Sequence, residues 1–303
     1  MTTAAPTPDV SVVLPTWNRV DFLGASLASL LAEEGVALEV VVVDDGSTDG
    51  TAAFLANHPD PRVRGVMGPH AGIAVARNAG IRAARAPIVA FHDSDDRALP
   101  GRLSVPVGYL RAHPDVDLVI QNGLMEGPTP ALWIPPERAA ALAAAPVGVG
   151  EVFRWNLGQL QGMCFTRRAL DAVGPLDRSF KILDDLDLVL RVAARFRAVF
   201  LDRVAFAYRV GGGVARDRMA VREESIRLAD KLIREHPEVL SQLGGDAAFR
   251  RRQARRWARL GAMRRAAGDR AGARDAVGRA RALRPWDLRY ALRALWLAAG
   301  GRG

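Results

Sequence analysis

The sequence predicts an α/β fold, a mostly parallel sheet flanked by helices, with a helical extension at the C-terminal end. Three observations carry that prediction. Short β-branched runs alternate with amphipathic stretches through the first half, two of the buried-looking runs end in aspartate clusters, and the residues from Asp246 onward read as helices rich in Arg and Ala. With 303 residues, 49% of them hydrophobic, and a mean hydropathy of +0.02, the chain has ample apolar material for a core, which excludes a disordered or fibrous protein. A single core stops growing near roughly 250–300 residues, so one large domain with an appendage is the expectation. Residues 1–121 and 122–238 read as the two halves of that domain, and 239–303 as a basic helical extension.

Each element has a local reason. Val10–Leu14, Leu38–Val43, Val63–Met67, Ile88–Phe91 and Val116–Ile120 are strand candidates. Between the first two, Leu23, Leu27, Leu30 and Leu31 recur at i, i+4, i+7 and i+8, which is one helical face. Further helices are expected to start near Ser47–Thr51 and to cover Gly72–Ala84 and Gly101–Ala112. After Gln121 the pattern turns irregular, with Pro128, Pro130, Pro135, Pro136 and Pro146 breaking any long element, as suits a loop-rich binding surface. A short helix near Arg167–Val173, a helix over Asp184–Arg195, a strand near Val199–Ala207 and a helix around Ala215–Glu235 follow, the last after a flexible Gly211–Gly213 link. The tail reads as three helices, Ala247–Ala267, Arg270–Leu283 and Trp286–Ala298, broken at Gly268 and Pro285. No internal repeat stands out, although two tail helices could pair as a hairpin.

The net charge of +9 is unevenly spread: residues 246–303 hold 16 Arg, no Lys and 4 Asp, net +12, so the rest of the chain is net −3. Only Lys181 and Lys231 are lysines, so the Arg and Ala richness can reflect genomic base composition as well as selection for a polyanion. A solvated Arg-rich surface and a surface for an anionic membrane or a partner both fit the tail. Specific nucleic-acid binding does not, because zinc-finger spacing and RNA-binding aromatic signatures are missing. Trp286, Leu292, Leu295, Trp296 and Leu297 motivate the membrane reading, a peripheral contact of the C-terminal helices with an anionic inner face. A lone Cys164 and a start without basic or apolar leader regions fit a reducing cytoplasm, and no stretch has the roughly 18 apolar residues that span a bilayer.

The chemistry gathers at strand ends. Asp44 and Asp45 follow Val40–Val43, and Asp93, Asp95 and Asp96 follow Ile88–His92; a third cluster, Asp184, Asp185 and Asp187, opens a helix. In open parallel sheets, ligands bind beyond the carboxyl ends of the strands, so the first two clusters share a rim. Crowded carboxylates repel one another unless a cation neutralises them. Hard oxygen ligands without nearby Cys or paired His favour Mg²⁺ or Mn²⁺ over Zn²⁺, and such sites combine one or two carboxylates with substrate phosphates. Bland alternatives exist. Asp44-Asp45-Gly46-Ser47 also has the composition of a turn and helix cap, and Asp184 with Asp187 fits a capping role; Asp185 and the three carboxylates after Ile88–Phe91 are harder to explain that way.

Pro15-Thr16-Trp17-Asn18-Arg19, Val43-Asp44-Asp45-Gly46-Ser47-Thr48-Asp49-Gly50-Thr51 and Phe91-His92-Asp93-Ser94-Asp95-Asp96, in this order and spacing, resemble family 2 glycosyltransferases. Ala76-Arg77-Asn78-Ala79-Gly80 and Asp184-Asp185-Leu186-Asp187-Leu188 with Arg191 extend the likeness, which covers roughly residues 10–210. The resemblance implies a GT-A fold, a nucleotide-diphosphate sugar donor, UDP-linked as the first guess, and transfer with inversion at the anomeric carbon. It implies that Pro15, Thr16, Asp45 and Arg77 line the nucleotide pocket with Asp44 in support. Asp95 is then the leading metal ligand, with Asp93 and Asp96 sharing metal and nucleotide contacts, and Asp185 the general base. Gln161, Gly162 and Asp184 fall on the acceptor side, whether glycan, lipid-linked saccharide or metabolite. His92 replaces the usual apolar residue and Asp184 the usual Glu; neither change removes a carboxylate. Trp17, Trp133, Phe153 and Trp155 could stack on a sugar or base, although ordinary packing explains each.

Two enzyme rivals and one other class remain. A metal-dependent phosphohydrolase of the haloacid-dehalogenase type would want its aspartate nucleophile after the opening strand, whereas Asp93-Ser94-Asp95 follows the fourth. A sugar nucleotidyltransferase would want a Gly-rich, Lys-containing first loop. A noncatalytic GT-A-like binding protein would not need three acidic clusters.

Overall fold

The computed structural model describes residues 7–209, 217–290 and 292. The Gly211–Gly213 link, the predicted helix start at Ala215 and most of the predicted Trp286–Ala298 helix, with Leu295, Trp296 and Leu297, lie outside the described residues. The chain divides into two compact units, Met1–Gly212 and Gly213–Gly303.

In the first unit, β1 (Val10–Thr16), α1 (Val20–Leu31), β2 (Leu38–Asp44), α2 (Thr51–Ala56), β3 (Val63–Met67), α3 (Ile73–Ala83) and β4 (Ile88–Phe91) alternate along the chain. β5 (Arg97–Ala98), α4 (Ser104–Ala112), β6 (Leu118–Glu126), β7 (Ala131–Leu132), α5 (Pro136–Ala143) and α6 (Val149–Trp155) come next. A 3-10 turn at Leu160–Gly162, β8 (Met163–Thr166), α7 (Arg167–Val173), α8 (Asp184–Arg195) and β9 (Ala198–Arg209) complete the unit. All strands join one sheet in the order β3-β2-β1-β4-β8-β6-β9-β5, with β7 beside β6. The long ladders, β1 with β2 and β6 with β9, are parallel, as are β1 with β4 and β2 with β3; the short β8 runs antiparallel to β4 and β6.

Every residue of β1 and β2 is buried, because the central strands of a parallel sheet are covered on both faces. Leu23, Leu27 and Leu30 of α1 pack on one face with Val12, Leu14 and Val40, and α3 covers the other through Ala76 against Val41 and Val43. α3 approaches β1 closely: a Cβ at Gly80 would stand 2.3 Å from a methyl of Val13, so only glycine lets the helix lie there. That approach sets the position of Arg77, one turn earlier on α3.

The region after Gln121 holds more structure than its prolines suggest. Pro136 sits in the first turn of α5, where the missing N–H costs nothing, and α6 ends at Asn156 with φ 53°. β6 continues past Ile120 through Gly123, where the ring of Phe206 takes the space a side chain would need. The second unit holds α9 (Arg218–Glu235), α10 (Gly245–Ala266) and α11 (Arg270–Leu283). α9, read from sequence as part of the 122–238 half, groups with these helices. No helix among the described residues is long and apolar enough to cross a membrane.

Candidate active site

Because β1, β2 and β4 are parallel, Thr16, Asp44 and the residues after Phe91 share one edge of the sheet. The loops leaving that edge are tied to one another. Asn18 accepts from the N–H of Thr48 at 2.8 Å and donates its own N–H to Ser47 Oγ at 2.8 Å, while Asp49 accepts from the N–H of Val20 at 2.9 Å. Asp44, buried, accepts from the N–H of Ser47 at 2.9 Å. Asp45, also buried, accepts with both oxygens from the N–H groups of Ala71 and Gly72, at 2.7 and 2.8 Å, and so anchors the start of α3. Trp17 is exposed and stacks on His70 with centroids 4.5 Å apart.

A second group of carboxylates gathers around Arg77. Its guanidinium is buried and donates to Asp184 at 3.0 Å and Asp93 at 3.3 Å. Burial works against its charge, but Asp184, Asp93 and Asp185 outweigh that and raise its pKa. Gln161, buried, donates its amide to Asp93 and, at 3.1 Å, to Asp96. Asp96 also accepts from the backbone N–H of Arg209 at 3.1 Å, and Asp95 pairs with Arg19. Asp185, at the start of α8, accepts from the N–H of its neighbour Leu186 at 2.6 Å.

Negative charge is in surplus here. Burial pushes Asp185 up to about 8, with Asp184 adding and Arg77 opposing. Burial, reinforced by Asp93, pushes Asp96 up to about 8, and Asp93 is raised by burial and by Asp95 against the pull of Arg77. Tyr208, half-buried at the end of β9, is raised by burial and then by Asp96, Asp93 and Asp95, which places its hydroxyl within their field. His92 lies fully buried and is lowered to about 3 by burial and by Arg102, so it is neutral and fits a position usually apolar. Buried polar atoms at this edge that lack partners include Thr16 Oγ1, Arg77 Nε and His92 Nδ1.

Asp93, Asp95, Asp96, Asp184, Asp185, Arg77 and Gln161 thus form one interacting cluster. Asp44 and Asp45 lie on the same edge but are bonded locally, Pro15 is buried within β1, and Gly162 packs against the carbonyl of Gln121, 2.6 Å from where a Cβ would be. Asp187 belongs to a different network, held by Arg191 at 2.9 Å. Arg19, Tyr208 and Arg209 are additions that sequence reasoning missed. Arg19 stands next to Asn18 in the first loop, a signal that was available; nothing marked Tyr208 beyond its place at a strand end. Among the described residues, no three His, Cys, Asp or Glu side chains converge as a ready-made metal cage.

The model of glycosyl transferase family 2 matches residues 11–169, just over half of the chain and the whole first rim. The chain belongs to that family. A succinoglycan biosynthesis protein, ExoO of Rhizobium meliloti, is 50% identical over 97 residues, 32% of this chain and 28% of that one. ExoU of the same organism is 39% identical over 125 residues, 40% of this chain and 35% of its own length. The chain therefore spans about a third of these curated relatives. Among solved structures, TarS of S. aureus in complex with UDP-GlcNAc aligns over 96% of this chain and 88% of that chain with a TM-score of 0.67 at 18% identity. The mannosyltransferase PcManGT of Pyrobaculum calidifontis, in complex with GDP-Man and Mn²⁺, aligns over 97% and 87% with a TM-score of 0.62 at 24% identity. These likenesses are of fold, and they establish the GT-A architecture with a helical C-terminal part.

Proposed function

We propose that this family member is an inverting glycosyltransferase that moves a sugar from a nucleotide-diphosphate donor, UDP-linked as the first guess, to an acceptor hydroxyl in the building of a polysaccharide. The observation that carries the reading is the charge surplus around Arg77: five carboxylates face Arg77 and Arg19, two of the five are raised to about 8, and Thr16 Oγ1 and Arg77 Nε stand without partners. Buried polar groups are normally satisfied, so a ligand rich in oxygen with a cation beside it answers both the orphans and the surplus.

The residues fit a divalent cation of the Mg²⁺ or Mn²⁺ kind, since the donors are hard carboxylate oxygens and such an ion takes one or two of them plus phosphate and water rather than a protein cage. Asp95 is the leading ligand, with Asp93 and Asp96 close by. When bound, the ion offsets charge growing on the departing diphosphate. The remaining work falls to the chain. Thr16 and Arg77 hold diphosphate oxygens, Pro15 and Asp45 shape the nucleotide pocket, and Asp44 fixes its turn. Asp185 takes the proton of the acceptor hydroxyl as the new glycosidic bond forms and the bond to diphosphate breaks. Its raised pKa makes it a better proton acceptor once ionised, and Gly158 leaves space beside it, a Cβ there standing 3.3 Å from Asp185 Oδ1. Gln161, Gly162 and Asp184 belong to the acceptor side in this reading, supported by the Gln161 amide on Asp93 and Asp96 and by Asp184 next to the base. Residues 1–121 then supply the donor side, and the part of 122–238 that lies in the first unit the acceptor side.

The test is turnover, read as nucleotide-diphosphate release with Mn²⁺ or Mg²⁺ across a panel of donors, beside calorimetric donor binding. Asp185→Asn is expected to keep donor affinity within about threefold and lose about 10²–10⁴ in transfer, the range of general-base catalysis. Near-normal turnover in that variant, or release of inorganic phosphate without acceptor, overturns the reading.

A further inference from the structure

The second unit carries a pattern of its own. Trp257-x2-Leu260-Gly261-x2-Arg264, then Ala273-x3-Val277 and Pro285, has the spacing of a tetratricopeptide unit, Trp-x2-Leu-Gly-x2-Tyr, Ala-x3-Phe and Pro, with Arg in the Tyr place and Val in the Phe place. α10 and α11 pack as that pattern requires. Leu260, Gly261, Ala273, Ala276, Val277 and Ala280 are buried, and a Cβ at Gly261 would stand 3.0 Å from Val277 and 3.2 Å from the Ala273 carbonyl, so the small residue sets the close approach of the helices. Arg264, standing for the aromatic, pairs with Glu223 of α9 at 2.8 Å and donates to the Gly272 carbonyl at 3.3 Å, clamping the hairpin from the same position.

We infer that α10 and α11 of the second unit form a single tetratricopeptide-type module whose first helix, α10, docks an acidic, extended segment of a partner protein. Arg251, Arg255 and Arg259 recur at i, i+4 and i+8, all exposed, and Ala262 and Ala266 continue the same face. From residue 247 to 268 there is no acidic residue. Among the described residues none pairs with these three arginines, whereas Arg250, Arg264, Arg279 and Arg289 of the same unit all have carboxylate partners. Four residues of helix advance about 6 Å. Every second residue of an extended chain advances about 6.7 Å on one side. A segment with carboxylates at alternate positions therefore meets the three guanidinium groups in turn, each able to bind bidentately. A nucleic-acid strand has a similar charge spacing but binds by stacking on aromatic side chains, and the aromatics of α10, Phe249 and Trp257, pack inward. A bilayer needs large apolar groups beside the charges, and this face offers alanine.

The probe is a labelled twelve-residue peptide alternating Asp and Ser, titrated by fluorescence anisotropy against the full chain at about 0.15 M salt, where loose surface attraction is screened. It is expected to bind about tenfold tighter than a peptide of the same composition with its Asp residues in one block. Arg251→Gln, Arg255→Gln and Arg259→Gln together should weaken it by about tenfold or more, and the charge-matched triple Arg270→Gln, Arg274→Gln and Arg281→Gln on α11 by less than about twofold. The Arg→Lys triple on α10 keeps the charge and loses the bidentate geometry, so an intermediate loss is expected. Circular dichroism checks that each variant stays helical. Equal loss from the two glutamine triples, equal binding of the two peptides, or tighter binding of a single-stranded oligonucleotide or of phosphatidylglycerol vesicles at the same salt overturns the inference. Vesicle binding abolished by Trp286→Ala with Leu288→Ala, both exposed beyond α11, would assign the unit to a membrane instead.

Discussion

Two groups of aspartates share one sheet edge and differ in what their oxygens touch. Asp44 and Asp45, at the end of β2, are bonded to backbone N–H groups of their own turn and of the α3 start. Asp93, Asp96 and Asp185, after β4 and at the head of α8, are buried among one another with too little positive charge, and all three are raised. A carboxylate with N–H partners stabilises the loops that carry it. One crowded by its own kind is costly until a cation, a ligand or a proton arrives, and that cost marks it for chemistry. The first group builds the rim; the second is held in readiness by Arg77.

The largest effect in stability is expected from Arg77, because it ties α3 to both Asp93 and Asp184. Arg77→Ala leaves buried carboxylates without their counter-ion and should destabilise the domain by about 3–5 kcal/mol, read as a fall in the denaturation midpoint at unchanged m-value. A change under about 1 kcal/mol would mean that the crowded group is supported elsewhere.

A pH effect should follow, of several degrees in Tm. Asp185 has its folded pKa raised from the ordinary 3.8 to about 8, so the folded state prefers it protonated. Stability from this group is fully present below pH 4 and is lost as pH rises towards 8, the sign for a raised carboxyl. Asp184, Arg77 and Asp93 face it throughout, and Asp185→Asn removes only its own titration. The variant should match the parent near pH 4 and melt higher near pH 8, a gap visible by calorimetry without donor or metal. A gap that does not grow with pH would show that Asp185 is solvated and not crowded, weakening the contrast between the two groups.

Much of this was legible in the sequence. β3, β4, α7 and α8 have the bounds that periodicity and turn residues suggest, since each is a buried run or an amphipathic stretch with clear punctuation. β8 was not, because four residues between a 3-10 turn and a helix leave no room for a period. α5 was hidden by Pro135 and Pro136, which read as breakers until one of them is found in a first helical turn. At the site, the aspartates could be picked out, but not the division of labour among them. That division depends on which backbone N–H groups reach each carboxylate, and Ala71 and Gly72 stand 26 and 27 residues from Asp45. Arg19 stood in the first motif but was given no role for the same reason, its partner Asp95 lying 76 residues on.

The smallest effect tests the satisfied group. Asp45→Asn keeps one oxygen for Ala71 or Gly72 and turns an NH₂ towards the other N–H, so one donor at the head of α3 is left facing a donor. The loss should be about 1 kcal/mol, in the range of a removed helix cap. It should not turn into a gain at pH 8, since both of its hydrogen bonds are to backbone N–H groups and its nearest charged-group neighbour is the His70 imidazole at 3.7 Å, not a crowded carboxylate. Its kinetic signature should also differ from that of Asp185→Asn: donor affinity weakens as α3 and Arg77 lose their anchor, while turnover of bound donor changes little. If Asp45→Asn instead stabilises the protein at high pH, it belongs with the crowded carboxylates, and the boundary between building the rim and working at it runs elsewhere.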